Sequence, residues 1–232
     1  MNDNEERFHS LEAQIIACQR CPRLVEWRQE VARVKRRAYL DWEYWGKPLP
    51  GFGDYQARVL VVGLAPGAHG ANRTGRMFTG DGSGDFLYPA LHRAGFASQS
   101  HADKRGDGLK LEHMFISAVC RCVPPGNKPK AGEISNCLPY LEQEIDLLDQ
   151  LQVTVALGRI AFDQTLRIYR QRTGARLRFD FAHGAKYSLG DGMPWLVASY
   201  HPSRQNTQTG RLTEGMFADI WEKVTQIINL EK

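Results

Sequence analysis

The sequence predicts an α/β protein, a three-layer α/β/α sandwich with a central four-stranded parallel sheet. Two observations lead to this prediction. Short, mostly apolar runs such as Val59–Val62 and Val153–Leu157 are typical of strands buried on both faces, as in parallel sheets. Longer segments whose apolar residues recur at helical spacing lie between these runs. Strands that alternate with helices favour a parallel sheet covered by helices on both sides.

The elements follow from local signals along the chain. Pro22 suits the first turn of a helix, and Asp85 is the expected N-cap of another. The predicted strands are Val59–Val62, Met114–Val119, Val153–Leu157 and Trp195–Ser199. The predicted helices are Phe8–Ala17, Pro22 to about Arg37, a helix from Asp85, Glu133–Gln150, Ile160–Arg172 and Thr213–Leu230.

Length and composition predict one domain over residues 1–232, with an N-terminal helical segment of about residues 1–45. No apolar run is long enough to span a membrane, and from the polar start MNDNEERFHS we expect no secretory signal peptide. We therefore expect a cytoplasmic protein without a membrane partner. We also expect it to be a monomer. The net charge of +4 permits nucleic-acid binding without requiring it. The basic run Arg20–Arg37 is interpreted as a solvated helix face.

A long glycine-rich loop follows the first strand. It holds seven glycines from Gly63 to Gly84, together with Arg73 and Arg76. Glycine lets backbone N–H groups approach an anion such as phosphate. Glycine-rich loops between a strand and a helix are also common without any ligand, and GxGxxG is absent from this one. Its length still favours a binding function.

Two further polar loops follow strands, PPGNKP after the second and Tyr200–Ser203 after the fourth. Ligands of open α/β sheets bind at the carboxyl ends of strands. The sequence therefore predicts that these loops and the glycine-rich loop converge on one site at that edge of the sheet.

Five cysteines in a cytoplasmic chain are unlike a disulfide framework. Cys18 and Cys21 form a Cys-x-x-Cys turn, while Cys122 and Cys137 are far apart in the chain. These four thiolates suit either zinc or an iron–sulfur cluster, and the uneven spacing favours a four-iron cluster. Free core cysteines are a third interpretation, and Cys120 is expected to be a packed thiol.

Four motifs are spread along the chain: GLAPG, TGRMFTGDGSGD, CVPPGNKP and HPSRQNTQTG. Together with the N-terminal Cys-x-x-Cys they resemble the uracil-DNA glycosylase superfamily, in particular its family 5, the broad-specificity iron–sulfur branch. The resemblance covers nearly the whole chain. It implies a four-stranded parallel sheet, a 4Fe-4S cluster on Cys18, Cys21, Cys122 and Cys137, and DNA containing uracil or other deaminated bases as the partner.

The resemblance implies a monofunctional hydrolase that flips a damaged base out of DNA, cleaves its N-glycosidic bond and leaves an abasic site. Family 4 enzymes carry a glutamate and a strand asparagine where this chain has Leu64 and Ala118. Both differences are features of family 5 and predict a looser pocket that also accepts hypoxanthine or xanthine.

The resemblance also assigns roles to residues of the pocket. Phe78 is the expected platform for the flipped base, or else a core contact that anchors its loop. Gly63 and Ala65 are expected to bind the base as well. His201 is the expected donor to the negative charge on the departing base.

Two polar residues have open roles. Asp81 is expected to orient the attacking water or to stabilise an oxocarbenium-like sugar, or merely to shape its loop through backbone hydrogen bonds. Asn127 is expected to read the base, or merely to suit its turn. Arg204 is expected to fill the space that the flipped nucleotide leaves. The expected phosphate contacts are Arg73, Lys128, Ser203 and Gln205.

Two rival interpretations use other functions. One is a non-catalytic nucleic-acid-binding or redox-sensing iron–sulfur protein on the same fold, and the other is a zinc-stabilised binding module. The complete motif around His201 argues against the first. We expect the cluster to be structural, because hydrolysis of a glycosidic bond involves no oxidation or reduction.

Overall fold

Four parallel strands form the centre of the computed structural model, which describes residues 3–174 and 176–230. In these residues the sheet has six strands in the order β1-β3-β2-β4-β6-β5. The strands are β1 (Phe52–Gly53), β2 (Val59–Gly63), β3 (Met114–Ala118), β4 (Val153–Leu157), β5 (Lys186–Tyr187) and β6 (Trp195–Ser199). The predicted parallel sheet is confirmed, and the structure adds short antiparallel strands, β1 and β5, at its two edges.

The helices cover both faces of the sheet, as predicted. They are α1 (Asp3–Ile16), α2 (Pro22–Val34), α3 (Ala71–Thr74), α4 (Gly84–Arg93), α5 (Ala131–Leu147), α6 (Arg159–Thr173), α7 (Arg204–Gln208) and α8 (Glu214–Leu230). Short 3-10 turns lie at Arg37–Tyr39 and Pro125–Asn127. Among these helices, none is long and apolar enough to cross a membrane.

Alternating strand residues divide the core into two halves. Val61 and Val155 pack with α4 and α8, through residues such as Leu91 and Trp221. Leu60 and Ala156 face the other way, toward α1, α5 and α6. Because side chains alternate across a strand, one sheet supplies the inner surface of both halves. The sheet therefore holds the carboxyl ends of β2, β3 and β6 at fixed positions relative to each other.

The expected cap at Asp85 is wrong. The helix α4 begins at Gly84, and Asp85 lies inside its first turn. Asp81 takes the capping part instead, because its Oδ1 accepts from the N–H groups of Ser83 at 3.0 Å and Gly84 at 3.3 Å. Helix starts need such acceptors, since their first N–H groups lack partners within the helix.

Candidate active site

A cleft of about 1020 Å³ opens where the loops after β2, β3 and β6 meet. The predicted site residues that line it are Gly63, Ala65, Arg73, Phe78, Asp81, Asn127, His201, Ser203, Arg204 and Gln205. The predicted convergence of three loops at the carboxyl ends of the strands is therefore confirmed. Lys128 is exposed beside the cleft, and the cysteines lie outside its lining.

The rings of Phe78 and His201 are stacked inside the cleft, with centroids 5.8 Å apart and planes 30° apart. Phe78 has a φ of 52°, a left-handed conformation that is uncommon for a bulky residue. A Cβ on Gly63 would lie 2.9 Å from the Phe78 ring, so the absence of a side chain there makes room for the ring. The position of the Phe78 ring in the cleft wall therefore depends on a glycine at the end of β2.

His201 stands at the end of β6 and is neutral near pH 7. Burial lowers the pKa of its imidazole to about 4. The backbone at His201 is fixed by the short helix α7, because Asn206 Nδ2 donates to the His201 carbonyl at 2.8 Å. A neutral imidazole in this position offers one N–H donor to a group in the cleft.

The two carboxylate oxygens of Asp81 have different surroundings. Its Oδ1 shapes the start of α4, while Oδ2 makes no hydrogen bond to any residue that the structure describes. A Cβ on Gly67 would lie 2.8 Å from Oδ2, so this glycine leaves space for the carboxylate. Burial raises the pKa of Asp81 above its ordinary value, and the backbone donors of Gly84 and Ser83 partly oppose this rise.

The loop with Asn127 is anchored to α2 by a charge pair. Arg23 donates to both carboxylate oxygens of Glu133, at 2.7 and 2.6 Å, and also to the Lys128 carbonyl at 3.3 Å. Glu133 in turn accepts from the Lys130 N–H at 2.7 Å, which completes a capping box at the start of α5. Asn127 itself is exposed with a φ of 58°, and its side chain is free to reach the cleft.

The predicted phosphate contact at Arg73 is placed differently from the others. It is only 4% exposed, and its guanidinium lies 4.0 Å from the ring centroids of both Tyr39 and Trp42. Its Nε and Nη2 donate to the carbonyls of His69 and Gly80. This geometry favours a wall-forming role over a phosphate contact. Sequence reasoning missed that Arg36, Tyr39 and Trp42 line the cleft, although the aromatic-rich run Tyr39–Trp45 was a signal.

The loop after β6 crosses the mouth of the cleft. Ser203 caps the short helix α7, since its Oγ accepts from the Asn206 N–H at 3.4 Å. Arg204 is exposed and lies against the opposite loop, where a Cβ on Gly82 would come within 2.5 Å of its Nε. Gln205 is exposed beside it. Arg204 and Gln205 are therefore available to a large ligand that covers the cleft.

The four predicted thiol ligands lie in one region between the N-terminal helices and α5. All five cysteines are free, and the thiols of Cys18, Cys21 and Cys122 each interact electrostatically with that of Cys137 or with one another. Burial and the neighbouring Cys137 raise the pKa of Cys122 to about 12. Among the described residues, no three His, Cys, Asp or Glu side chains lie close enough to hold a single metal ion.

The surroundings of these sulfurs suit thiolate ligands. The Arg121 N–H donates to Cys137 Sγ at 3.4 Å, and Asn136 Nδ2 donates to Cys21 Sγ at 3.5 Å. The thiol of the buried Cys120 also donates to Cys137 and is the first cause of its lowered pKa. Hydrogen bonds to ligand sulfurs are a usual feature of iron–sulfur sites. The donor set therefore fits an iron–sulfur cluster.

A buried ion pair ties this region to the sheet. Arg121 is 1% and Glu144 2% exposed, and their two parallel hydrogen bonds measure 2.9 and 2.5 Å. Ser117 on β3 donates to the same carboxylate at 2.5 Å, and Leu49 N–H donates to the Arg121 carbonyl. Since Arg121 lies between Cys120 and Cys122, the pair fixes the backbone that leads from β3 to PPGNKP.

Comparisons with known proteins agree with this geometry. The profile of the uracil DNA glycosylase superfamily matches residues 50–225. A type-5 uracil-DNA glycosylase of Thermus thermophilus is 50% identical over 216 residues, covering 93% of this chain and 96% of that protein. The chain belongs to the uracil DNA glycosylase superfamily. A type-5 uracil-DNA glycosylase of Mycobacterium leprae is 49% identical over 221 residues, which cover 95% of both chains.

Within the superfamily the resemblance to family 5 is confirmed. A type-4 uracil-DNA glycosylase of Pyrobaculum aerophilum matches less well, at 35% identity over 56% of this chain and 59% of that protein. The differences at Leu64 and Ala118 agree with this placement, because both residues line the cleft and neither carries a polar side chain.

Proposed function

We propose that this superfamily member hydrolyses the N-glycosidic bond of uracil in DNA and leaves an abasic site. The observation that carries this proposal is the single cleft that joins Phe78, Asp81, Asn127 and His201 at the carboxyl ends of the strands. The bond under attack is inaccessible inside a duplex, so the nucleotide must be flipped into the cleft. The proposed partner is DNA that contains uracil.

Phe78 receives the flipped base. Stacking of a base on an aromatic ring contributes about 1–3 kcal/mol and tolerates different bases. The Phe78 ring is stacked with the ring of His201, so both rings are held in place before the base arrives. Gly63 and Ala65 form the adjoining wall, where their small size leaves room for the base.

Bond cleavage sends the bonding electron pair to the departing base, which becomes an anion. The neutral imidazole of His201 donates a hydrogen bond to this anion. One such donor contributes roughly 3–4 kcal/mol to catalysis in enzymes that stabilise an anionic oxygen. A water molecule oriented by Asp81 Oδ2 bonds to the sugar carbon, and its proton passes to the carboxylate or to solvent. Asn127 is proposed to hydrogen-bond the base from the facing loop.

The same cleft is proposed to accept other deaminated bases, such as hypoxanthine and xanthine. Its volume of about 1020 Å³ far exceeds that of a single base. Leu64 and Ala118 cannot donate or accept hydrogen bonds through their side chains, so they do not select uracil. A pocket that depends on stacking discriminates bases only weakly.

The rest of the chain is proposed to serve this site as one domain over residues 1–232 and as a monomer. Cys18, Cys21, Cys122 and Cys137 hold a 4Fe-4S cluster, which supplies a cross-link between the N-terminal segment and the loop before PPGNKP. Lys128, Ser203 and Gln205 contact phosphates, and Arg204 fills the gap in the duplex. Arg73 acts through the cleft wall and not through phosphate.

Single-turnover excision from oligonucleotides with one uracil, hypoxanthine, xanthine or ethenocytosine tests the proposal. We expect release of uracil and at least one other base, with rates about 10²–10³-fold lower in His201→Ala. His92→Ala is the matched control, because His92 is exposed in the last turn of α4 and lies outside the cleft lining. Binding of DNA without release of any base would favour the non-catalytic rival function.

A further inference from the structure

Arg28 is a buried cation without a counter-charge. It is 2% exposed, and its guanidinium donates only to neutral acceptors, the Gly46 carbonyl at 2.5 Å and Gln19 Oε1 at 3.3 Å. Its Nε has no hydrogen-bond partner among the described residues. No carboxylate in the part of the chain that the structure describes is within ion-pair distance of it. The interpretation of Arg20–Arg37 as a solvated face is therefore wrong for this residue.

The other buried arginines all have compensation. Arg76 pairs with Asp107 at 2.6 Å, and Arg121 pairs with Glu144 at 2.5 Å. The guanidinium of Arg73 lies 4.0 Å from the centroids of two aromatic rings, which attract a cation electrostatically. Burying a charge without a partner is strongly unfavourable. A groove of about 750 Å³ lies beside Arg28. Because only 2% of Arg28 is exposed, water in this groove can hydrate little of its charge.

The cysteine site is a source of negative charge that Arg28 contacts through Gln19. Gln19, which accepts from Arg28, is inside the turn between Cys18 and Cys21. Cysteines bind metals as thiolates, and four thiolates bring more negative charge than a four-iron core carries positive charge. An assembled cluster is therefore an anion beside Arg28.

We propose that Arg28 is the internal counter-cation of the cysteine site and that its charge retains the cluster. The inference rests on the proposed 4Fe-4S cofactor and adds a residue that binds no metal itself. In this role the hydrogen bond from Arg28 to Gln19 holds the guanidinium against the Cys-x-x-Cys turn. Arg28 is a positioning residue and takes no part in the excision step.

Cluster retention in the purified full-length protein tests this role. Iron and sulfide per chain are measured first, and then the loss of visible absorbance under excess iron chelator. We expect Arg28→Gln, which keeps a donor without the charge, to lose the cluster at least about tenfold faster than wild type. Arg28→Lys keeps a positive charge but not the planar guanidinium that reaches both Gly46 and Gln19, so it should lose the cluster more slowly than Arg28→Gln. Arg33→Met is the matched control, because Arg33 is exposed on the same helix and pairs with Glu30.

The reduction potential of the cluster is a second readout. The loss of a positive charge changes it in a predictable direction, whereas a change of packing alone does not. Reduction adds negative charge to the cluster, and Arg28 favours the reduced form. Arg28→Gln should therefore have a more negative potential, by about 59 mV for each tenfold change in the equilibrium constant. Arg28→Lys and Arg33→Met should keep the wild-type potential.

The possible outcomes separate cleanly. Equal retention in wild type and Arg28→Gln would overturn the proposal, as would equally fast loss in Arg28→Lys and Arg28→Gln. If the wild-type protein holds no iron or sulfide, the proposed cofactor fails and the role of Arg28 falls with it. Uracil excision by that cluster-free protein would show that the proposed glycosylase function survives on its own.

Discussion

At the scale of single residues, the shape of the cleft depends on glycines as well as on its large side chains. Gly63 and Gly67 leave room for the Phe78 ring and for Asp81 Oδ2. The sequence indicated the residues His201, Phe78 and Asp81 through motifs around them. It did not indicate that Phe78 and His201 are stacked, because that contact joins the glycine-rich loop to the loop after β6, which are far apart in the chain.

Gly63→Ala should lower single-turnover excision sharply while leaving the fold intact. The new methyl carbon would lie 2.9 Å from the Phe78 ring and push it toward the space of the base. Gly132→Ala is the control, since a Cβ there meets nothing within 4 Å. On a helix this control should be neutral or stabilising by about 0.4–1 kcal/mol. Wild-type excision in Gly63→Ala would show that the ring position does not matter.

Excision should fall in acid with a midpoint above the ordinary Asp value of 3.8. Burial raises the pKa of Asp81, and the proposed role needs the carboxylate, so activity is present above that pKa and lost below it. His201 stays neutral until about pH 4. A pH–rate profile checks the midpoint, and its persistence in a residually active Asp81→Asn variant would exclude Asp81 as the cause.

The same profile needs a stability control because His201 is itself sensitive to acid. Its pKa is about 4 when folded and 6.5 ordinarily, so the unfolded chain binds the extra proton first. The stability contribution is complete above about pH 6.5 and is lost as the pH falls toward 4. Circular dichroism at each pH separates unfolding from loss of catalysis.

At the scale of elements, the predicted helices and central strands were confirmed because each has a long or strongly apolar pattern. The edge strands β1 and β5 were missed because each has only two residues, which is too short to show the alternation of a strand. The helix α2 was expected to run to about Arg37 but ends at Val34, where Lys35 adopts a φ of 57°. The following turn brings Tyr39 to Arg73, a long-range contact that local pattern cannot predict.

The link between α2 and the PPGNKP loop gives an element-scale prediction. Arg23→Met removes both hydrogen bonds to Glu133 and the one to the Lys128 carbonyl, so the loop with Asn127 should become mobile. We expect several-fold slower excision with little change in melting temperature. Arg33→Met, which breaks only the exposed pair with Glu30, should match wild type. An unchanged excision rate in Arg23→Met would mean that the loop does not need this link.

At the scale of the whole molecule, the proposed cluster joins three parts of the chain that are far apart in sequence. Cys18→Ser should therefore lower the melting temperature and DNA affinity together, because the N-terminal helices lose their attachment to α5. Chemical reduction of the intact cluster should leave the excision rate unchanged. Thermal melts, DNA binding and single-turnover kinetics on the same preparation check this, and loss of excision on reduction alone would contradict a structural role.

The contact of Arg73 with the rings of Tyr39 and Trp42 also affects how members of this family can evolve. One wall of the cleft is divided between the N-terminal segment and the glycine-rich loop, so neither part is an exchangeable module. A chimaera that takes residues 1–45 from a relative should work only when both rings and the arginine are inherited together. Recombination between distant family members would break this unit, whereas point substitutions at Leu64 or Ala118 leave it whole and offer the easier evolutionary route to a new base.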